Sequence, residues 1–395
     1  MATTNPISDV TPPTVRPGAD LLVLLASMPH EQLEHVVSNL TASFPAESLL
    51  IATPDTFATN SHPALRTVSI PATSATWALT ASDFVNAYQL AQKNDSRAIL
   101  MLGQESASLA SSALRDLANA VLTSPTDLAI PCYDLPSRAG LVNSAFLYPL
   151  TRALFASRAR FPLAIDLGLS LRMAERLAAG AQRFTTLNQP DALVWPINEA
   201  AVAGFAAKEF DVGPRVIPQP AEPDLNAILA RVTGSLFADV DTKAAFWQRA
   251  RSLPLPRYSV QPPHPAEAAD VTPMLDAFRL AYTNLREIWS LVLPPNSLLG
   301  LKRLSVTDAA EFRMPDNLWA RIVFDFLLAY RLRTINRGHL LGALIPLYLA
   351  WVASHINITV SGTNPERHVE EVAAAFEADK PYLVSRWRWP DRFNP

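Results

Sequence analysis

The chain has 395 residues, 49% of them apolar, and one cysteine, which excludes a mostly disordered chain, an internal disulfide and a cysteine-cluster metal site. Its 33 basic and 36 acidic residues leave a formal charge of −3, without the basic excess of a nucleic-acid binder. Twelve glycines against 34 prolines argue against a glycine-rich phosphate loop.

Residues 1–18 are rich in Pro, Thr and Asn and read as a disordered tail; no basic stretch leads into an apolar one, so no signal peptide is expected. Leu21–Ala26 is a continuous apolar run, as a strand buried on both faces requires. A helix is expected from Pro29 to Ser43, then strands at Ser48–Ala52 and Arg66–Ile70. Asp83 suits the first turn of a helix over Ser82–Asn94. Arg97–Leu102 reads as a strand, Ser111–Leu122 as a helix, and Leu128–Pro131 as a short strand. This alternation argues for a mostly parallel sheet covered on both faces. A further helix is expected over Leu169–Ala178.

Pro214, Pro218, Pro220 and Pro223 mark a hinge, and a second proline-rich connector runs from Leu253 to Pro265. Between them Asp224–Arg251 reads as one helix. Thr272 and Pro273 look like a cap and a first helical residue, followed by an apolar stripe of Leu275, Phe278, Tyr282, Leu285 and Trp289. Helices over Asp316–Arg333, Leu340–Ser354 and Glu366–Asp379 complete the pattern. The expected organisation is a tail (1–18), an α/β domain (19–215), a proline-rich connector with one helix (216–265) and a helical domain (266–395). The strongly apolar part of Leu340–Ser354 is about 15 residues, short of the roughly 20 that span a bilayer, and Pro346 interrupts it. A core helix, no transmembrane span and a soluble, cytoplasmic protein are therefore expected.

Motif searching adds little. No Walker-type loop, Gly-x-Gly-x-x-Gly or Gly-x-Ser-x-Gly elbow occurs, and none of the seven histidines forms a helical metal pair. Cys132, at a strand end with no base or cation evident nearby, reads as a small residue and not a catalytic thiol. Arg321 and Asp325, four apart, read as a surface ion pair. The sole literal Asp-x-Asp, Asp239-Val240-Asp241, reads as a helix-end pair.

The segments Gly140–Phe155 and Arg160–Ser170, with Leu318–Phe326, Pro346–Leu349 and Lys380–Trp387, resemble bacterial GT-A-fold glycosyltransferases related to the mannosylglycerate and glucosyl-3-phosphoglycerate synthases. The resemblance implies a GT-A-like α/β sheet followed by an all-helical region. It also implies transfer of a hexose from a nucleotide-diphosphate sugar to a small or lipid-like acceptor. In that family two strand-end carboxylates hold Mg²⁺ or Mn²⁺, a hard cation that takes oxygen ligands and neutralises the diphosphate.

The corresponding strand end here is Gly103-Gln104-Glu105-Ser106. Gly103 and Glu105 are thus the donor-side candidates, with Glu105 the single metal ligand. Asp55, in Thr53-Pro54-Asp55-Thr56, would contact the nucleotide base. Asp166, in Ile165-Asp166-Leu167-Gly168-Leu169-Ser170, matches a family acid and reads as a general base for the acceptor hydroxyl, as a sugar ligand, or as a helix cap. Asp191, near Trp195, is the second catalytic candidate. Glu199 behind it reads as an acid or as a solvated helix start. The alternative to a transferase is a catalytically inactive protein that keeps the fold as a binding module or scaffold. The apolar helices of the C-terminal half suit either an internal core or a homodimer face.

Overall fold

Seven strands form one sheet in the computed structural model, which describes residues 19–55, 64–71, 77–218, 224–251 and 268–389. The expected tail, the Leu253–Pro265 connector and the end of the Pro214–Pro223 hinge lie outside the described residues. The strands are β1 (Leu21–Leu25), β2 (Leu49–Thr53), β3 (Arg66–Ser69), β4 (Ala98–Leu102), β5 (Leu128–Asp134), β6 (Leu167–Ser170) and β7 (Ala207–Pro214). Their spatial order is β3-β2-β1-β4-β6-β5-β7. All neighbours are parallel except β6, which runs antiparallel to both β4 and β5. The apolar runs β1, β2 and β4 are buried along their whole length, while edge strand β3 alternates between half-buried and exposed residues.

Helices α1 (His30–Thr41), α2 (Ala81–Lys93), α3 (Ser111–Thr123), α4 (Tyr148–Phe155), α5 (Leu171–Thr186) and α6 (Pro196–Ala203) connect these strands. α1 packs beside α3, and α2 beside α5. A capping box starts α2: the Asp83 carboxylate accepts from the Thr80 amide at 2.7 Å, and Thr80 caps in return. The helix expected over Leu169–Ala178 begins later. Leu167–Ser170 is a strand, and Ser170 caps α5 by accepting from the Met173 amide at 3.2 Å. Asp166 is therefore not a helix cap. Gly168 sits where α3 presses on β6; a Cβ there would lie 2.6 Å from the Leu117 carbonyl oxygen.

The second core is helical: α7 (Leu225–Thr242), α8 (Ala244–Trp247), α9 (Thr272–Asn284), α10 (Arg286–Val292), α11 (Pro295–Ser305), α12 (Asp316–Leu332), α13 (Arg337–Val360) and α14 (Pro365–Arg388). The single helix read over Asp224–Arg251 is two, because α7 ends at Thr242 and α8 follows after Lys243. Asp224 caps α7. Thr272 does not cap α9: Val271 holds the cap position, and the Thr272 amide donates to the Asp270 carboxylate at 2.9 Å. The stripe from Leu275 to Trp289 breaks at Leu285, yet Leu275, Phe278 and Trp289 are all fully buried. Ile322 and Phe326 of α12 are fully buried as well, so these stripes pack inside the chain and are not free to form a dimer face.

α13 runs 24 residues, well past the 15 expected, and is long and apolar enough to cross a membrane by length and composition. Within the chain, 67% of its most apolar window is buried. α14 lies along α4 and α12. Arg152 of α4 pairs with Glu370 at 2.5 Å and Glu377 at 3.0 Å, and Arg160 pairs with Glu366 at 2.9 Å. Arg321 and Asp325 do not pair with each other as a surface bridge. Arg321 reaches Asp379 of α14, and Asp325, buried, accepts from the Tyr382 hydroxyl at 2.5 Å. Burial pushes the Asp325 carboxyl up to about 7.

A buried histidine pair joins α13 and α14. His355 and His368 share a hydrogen bond between their Nδ1 atoms at 2.8 Å, and His368 reaches Asp316 at 3.2 Å. Burial, then His368 and Arg160, hold His355 down to about 3.

Candidate functional site

The chain lays β2 and β3 to one side of β1 and then returns to place β4 on the other. In an open α/β sheet the crevice at such a reversal, outside the carboxyl ends of the strands, is where ligands bind. Here Ala26, Pro54, Ile70, Leu79, Gly103 and Ile165 line a small pocket of about 20 Å³ in that cleft, with Asp83 as the one carboxylate of its lining. Burial raises the Asp83 carboxyl above its usual range.

Asp55 ties the end of β2 to the end of β1: its carboxylate accepts from the Ser27 hydroxyl and the Met28 amide, both at 2.8 Å. Gly103 follows β4 directly. Its amide donates to the Asp166 carboxylate at 3.0 Å, and a Cβ on it would meet the Ile165 side chain at 2.9 Å. The chain thus passes bare backbone along the cleft. Glu105 adopts a left-handed conformation with φ of 61°, uncommon for a residue with a side chain. It accepts from Gln32 at 3.2 Å, and its own carbonyl accepts from the Ser108 hydroxyl at 2.7 Å.

Asp166 is fully buried and held by four hydrogen bonds. Gly103 N donates at 3.0 Å, the Tyr133 hydroxyl at 2.9 Å, and Arg215 through Nε at 2.9 Å and Nη2 at 3.2 Å. An ionised carboxylate offers about four lone-pair sites, so none is left for an acceptor hydroxyl. This corrects the reading of Asp166 as a general base or sugar ligand: it is the anionic half of a buried ion pair. Arg215 also donates to the Gln104 carbonyl at 2.6 Å, which pins the loop after β4. Burial opposes the guanidinium charge, and Asp166 outweighs it to hold the Arg215 pKa above its ordinary value. Tyr133 is raised well above its usual range by burial and by Asp166.

Among the described residues the donor set does not suit a divalent cation. Glu105 is the only carboxylate at the end of β4, and it already feels the Arg215 guanidinium. Among the described residues no group of three His, Cys, Asp or Glu side chains converges. Glu105 therefore does not serve as the nucleus of a metal site in these residues.

Asp191 lies in the turn before α6, half-buried; its carbonyl accepts from Arg231, and its carboxylate is close enough to raise Asp83. It stands on the α2 side, not with Asp166. The Pro190 and Ala192 carbonyls flanking it accept from the Ser82 and Ala81 amides, fixing this turn at the start of α2. Glu199 is not a solvated helix start. It pairs with Lys243 at 2.8 Å and Arg176 at 3.0 Å, which hold it below the usual carboxylate range against burial. Asp239 and Asp241 fall in the last turn of α7, as a helix-end pair should.

Gly103, Asp166 and Glu105 thus meet around Arg215, while Asp55 and Asp191 stand apart. Sequence reasoning missed Arg215 and Tyr133. Arg215 was absorbed into the proline hinge; its one signal is a lone cation directly after β7, between Pro214 and Val216.

No protein-family model matches the sequence, and no curated relative matches it. Solved structures do. Glucosyl-3-phosphoglycerate synthase from Mycobacterium tuberculosis, in complex with uridine diphosphate, is 14% identical over 57% of this chain and 81% of that one, with a TM-score of 0.38. The same enzyme with Mn²⁺ and UDP-glucose is 15% identical over 56% and 79%, with a TM-score of 0.37. A structure described as a mycobacterial protein is 13% identical over 62% and 80%, again with a TM-score of 0.37. At these values the likeness assigns no activity. What the chain's own structure shows is a mixed seven-stranded α/β sheet followed by a helical C-terminal region.

Proposed function

We propose that the chain is a GT-A-type glycosyltransferase that takes a nucleotide-diphosphate sugar in the β1–β4 cleft and passes its hexose to a small or lipid-like acceptor. The observation that supports this reading is the strand reversal itself, with Asp55 at the end of β2 and bare backbone at Gly103 after β4. Mn²⁺ and UDP-glucose accompany the mycobacterial enzyme, but the described donor set here fits no cation, so no step is assigned to one. For the general base on the acceptor we assign Asp191, whose carboxylate lies close enough to Asp83 to raise it.

A second reading is a nucleotide-sugar-binding protein without transferase activity. The four hydrogen bonds that close Asp166 favour it.

One experiment separates the two. Melting temperatures are measured with UDP-, GDP- and ADP-glucose, with and without Mn²⁺, alongside release of the nucleoside diphosphate in the presence of an acceptor panel. A ligand bound only by the folded state raises the midpoint by mass action. A metal-independent shift with turnover, the turnover lost in Asp191→Asn while the shift remains, supports the transferase. A shift without turnover supports the binding protein. No shift for any donor at millimolar concentration overturns both.

A further inference from the structure

A second cavity, of about 350 Å³, lies between α5, α6 and α7, with Tyr330 of α12 in its wall. It falls within the roughly 300–1,000 Å³ range of small-molecule sites. Leu193 separates it from the β1–β4 cleft by pairing with Thr80, the cap of α2. Three features of its wall point to a class of guest.

Tyr330 is only 7% exposed, and among the described residues its hydroxyl has no hydrogen-bond partner, although its ring packs on Phe237 and under Arg337. The hydroxyl itself is not sealed off: it keeps accessible surface in the wall of the cavity. Here the hydroxyl is offered to whatever fills the cavity.

Glu199 and Asp239 supply two carboxylates that are already fixed and balanced. Lys243 lies between them, Arg176 holds Glu199 at 3.0 Å, and Asn198 holds Asp239 at 2.9 Å. Such carboxylates keep lone pairs for hydroxyl donors without presenting a bare negative charge. Phe184 and Trp195 add aromatic surface, and Trp195 is locked by its Nε1 donating to Ser235 at 3.0 Å. Positioned hydroxyl and carboxylate groups beside aromatic faces suit a ring that carries C–H on its faces and hydroxyls on its rim.

We propose that this cavity binds a neutral monosaccharide or polyol, as a site separate from the β1–β4 cleft. The proposal does not depend on a nucleotide binding in that cleft.

The test is calorimetric titration of the full chain, without nucleotide, with glucose, mannose, glycerol and glucose 6-phosphate up to tens of millimolar. Tyr330→Phe removes only the unpartnered hydroxyl, so its melting temperature should match the parent. Binding of a neutral compound should weaken about tenfold in that variant, the worth of one hydrogen bond. Ala238→Trp fills the cavity from α7 and should abolish binding; should it fail to fold, Tyr330→Phe decides alone. The proposal is overturned if no neutral compound binds, if only the phosphate binds, or if binding is unchanged in Tyr330→Phe.

Discussion

Asp166 and Arg215 stand 49 positions apart and meet with no exposure of either side chain. Breaking a buried pair strands a charge in a medium that cannot solvate it, which typically costs about 3–5 kcal/mol. Asp166→Ala and Arg215→Met should each lower the urea-unfolding free energy by that order, and the double variant by much less than the sum. Strict additivity would show that the two charges do not stabilise each other. Glu105 makes the opposite prediction. Its left-handed backbone is strained for a residue with a Cβ, so Glu105→Gly should raise stability by about 0.5–1 kcal/mol in the same assay. A loss would mean that the Gln32 contact outweighs the strain. Both sites explain why residue roles were hard to read. Sequence can suggest that an Asp two residues before Gly168 matters, but whether it faces a substrate or an arginine is decided by Arg215, which the chain brings in only after β7.

Elements were more legible. β1, β2 and β4 are unbroken apolar runs, and their bounds fall within a residue or two of the expected ones. β6 was missed because Leu167–Ser170 is four residues long and runs straight into α5, so its pattern blends with the helix. β7 was missed for a different reason: Lys208, Glu209 and Asp211 give it the polar pattern of an edge strand. The close approach at β6 is testable, because Gly168→Ala would force a methyl against the Leu117 carbonyl. A loss of about 1–3 kcal/mol on urea unfolding is expected. The joint between α13 and α14 carries a pH signature. His355 titrates near 3 when folded, against 6.5 for the unfolded chain. Between these values the unfolded state binds more protons, so this contribution is complete above pH 6.5 and is lost as the pH falls. At pH 5 the loss from this group is about 2 kcal/mol. Unfolding curves at pH 7 and pH 5 should show it, and His355→Leu should flatten that part of the difference. Arg160, Glu366 and Asp316 face the pair and do not change in the variant.

At the scale of the whole molecule, two cores divide the chain, one around the sheet and one around Trp289, Trp319 and Trp351. They are not consecutive in sequence, because Ala145–Phe155 belongs to the helical core although it lies between β5 and β6. Composition and periodicity announced a sheet followed by helices; they could not announce that interleaving, which depends on Trp319 donating to the Ala145 carbonyl 174 positions away. α14 completes the helical core by covering α4 and α12. A chain ending after residue 362 should therefore bind a hydrophobic dye and lose cooperative thermal unfolding, whereas native-like melting would show that α14 is an accessory. The clamp of Arg152 on Glu370 also has a consequence in time. The two residues are separated by 218 positions. At about 5–20 residues per second on a ribosome, the arginine is made roughly 10–45 s before its partner. During that interval the guanidinium must stay hydrated, which keeps α4 from docking. The long apolar α13 is made only 10 to 33 residues ahead of Glu370, about 0.5–7 s, so the nascent chain displays the segment that most resembles a membrane helix only for that short final part of the interval.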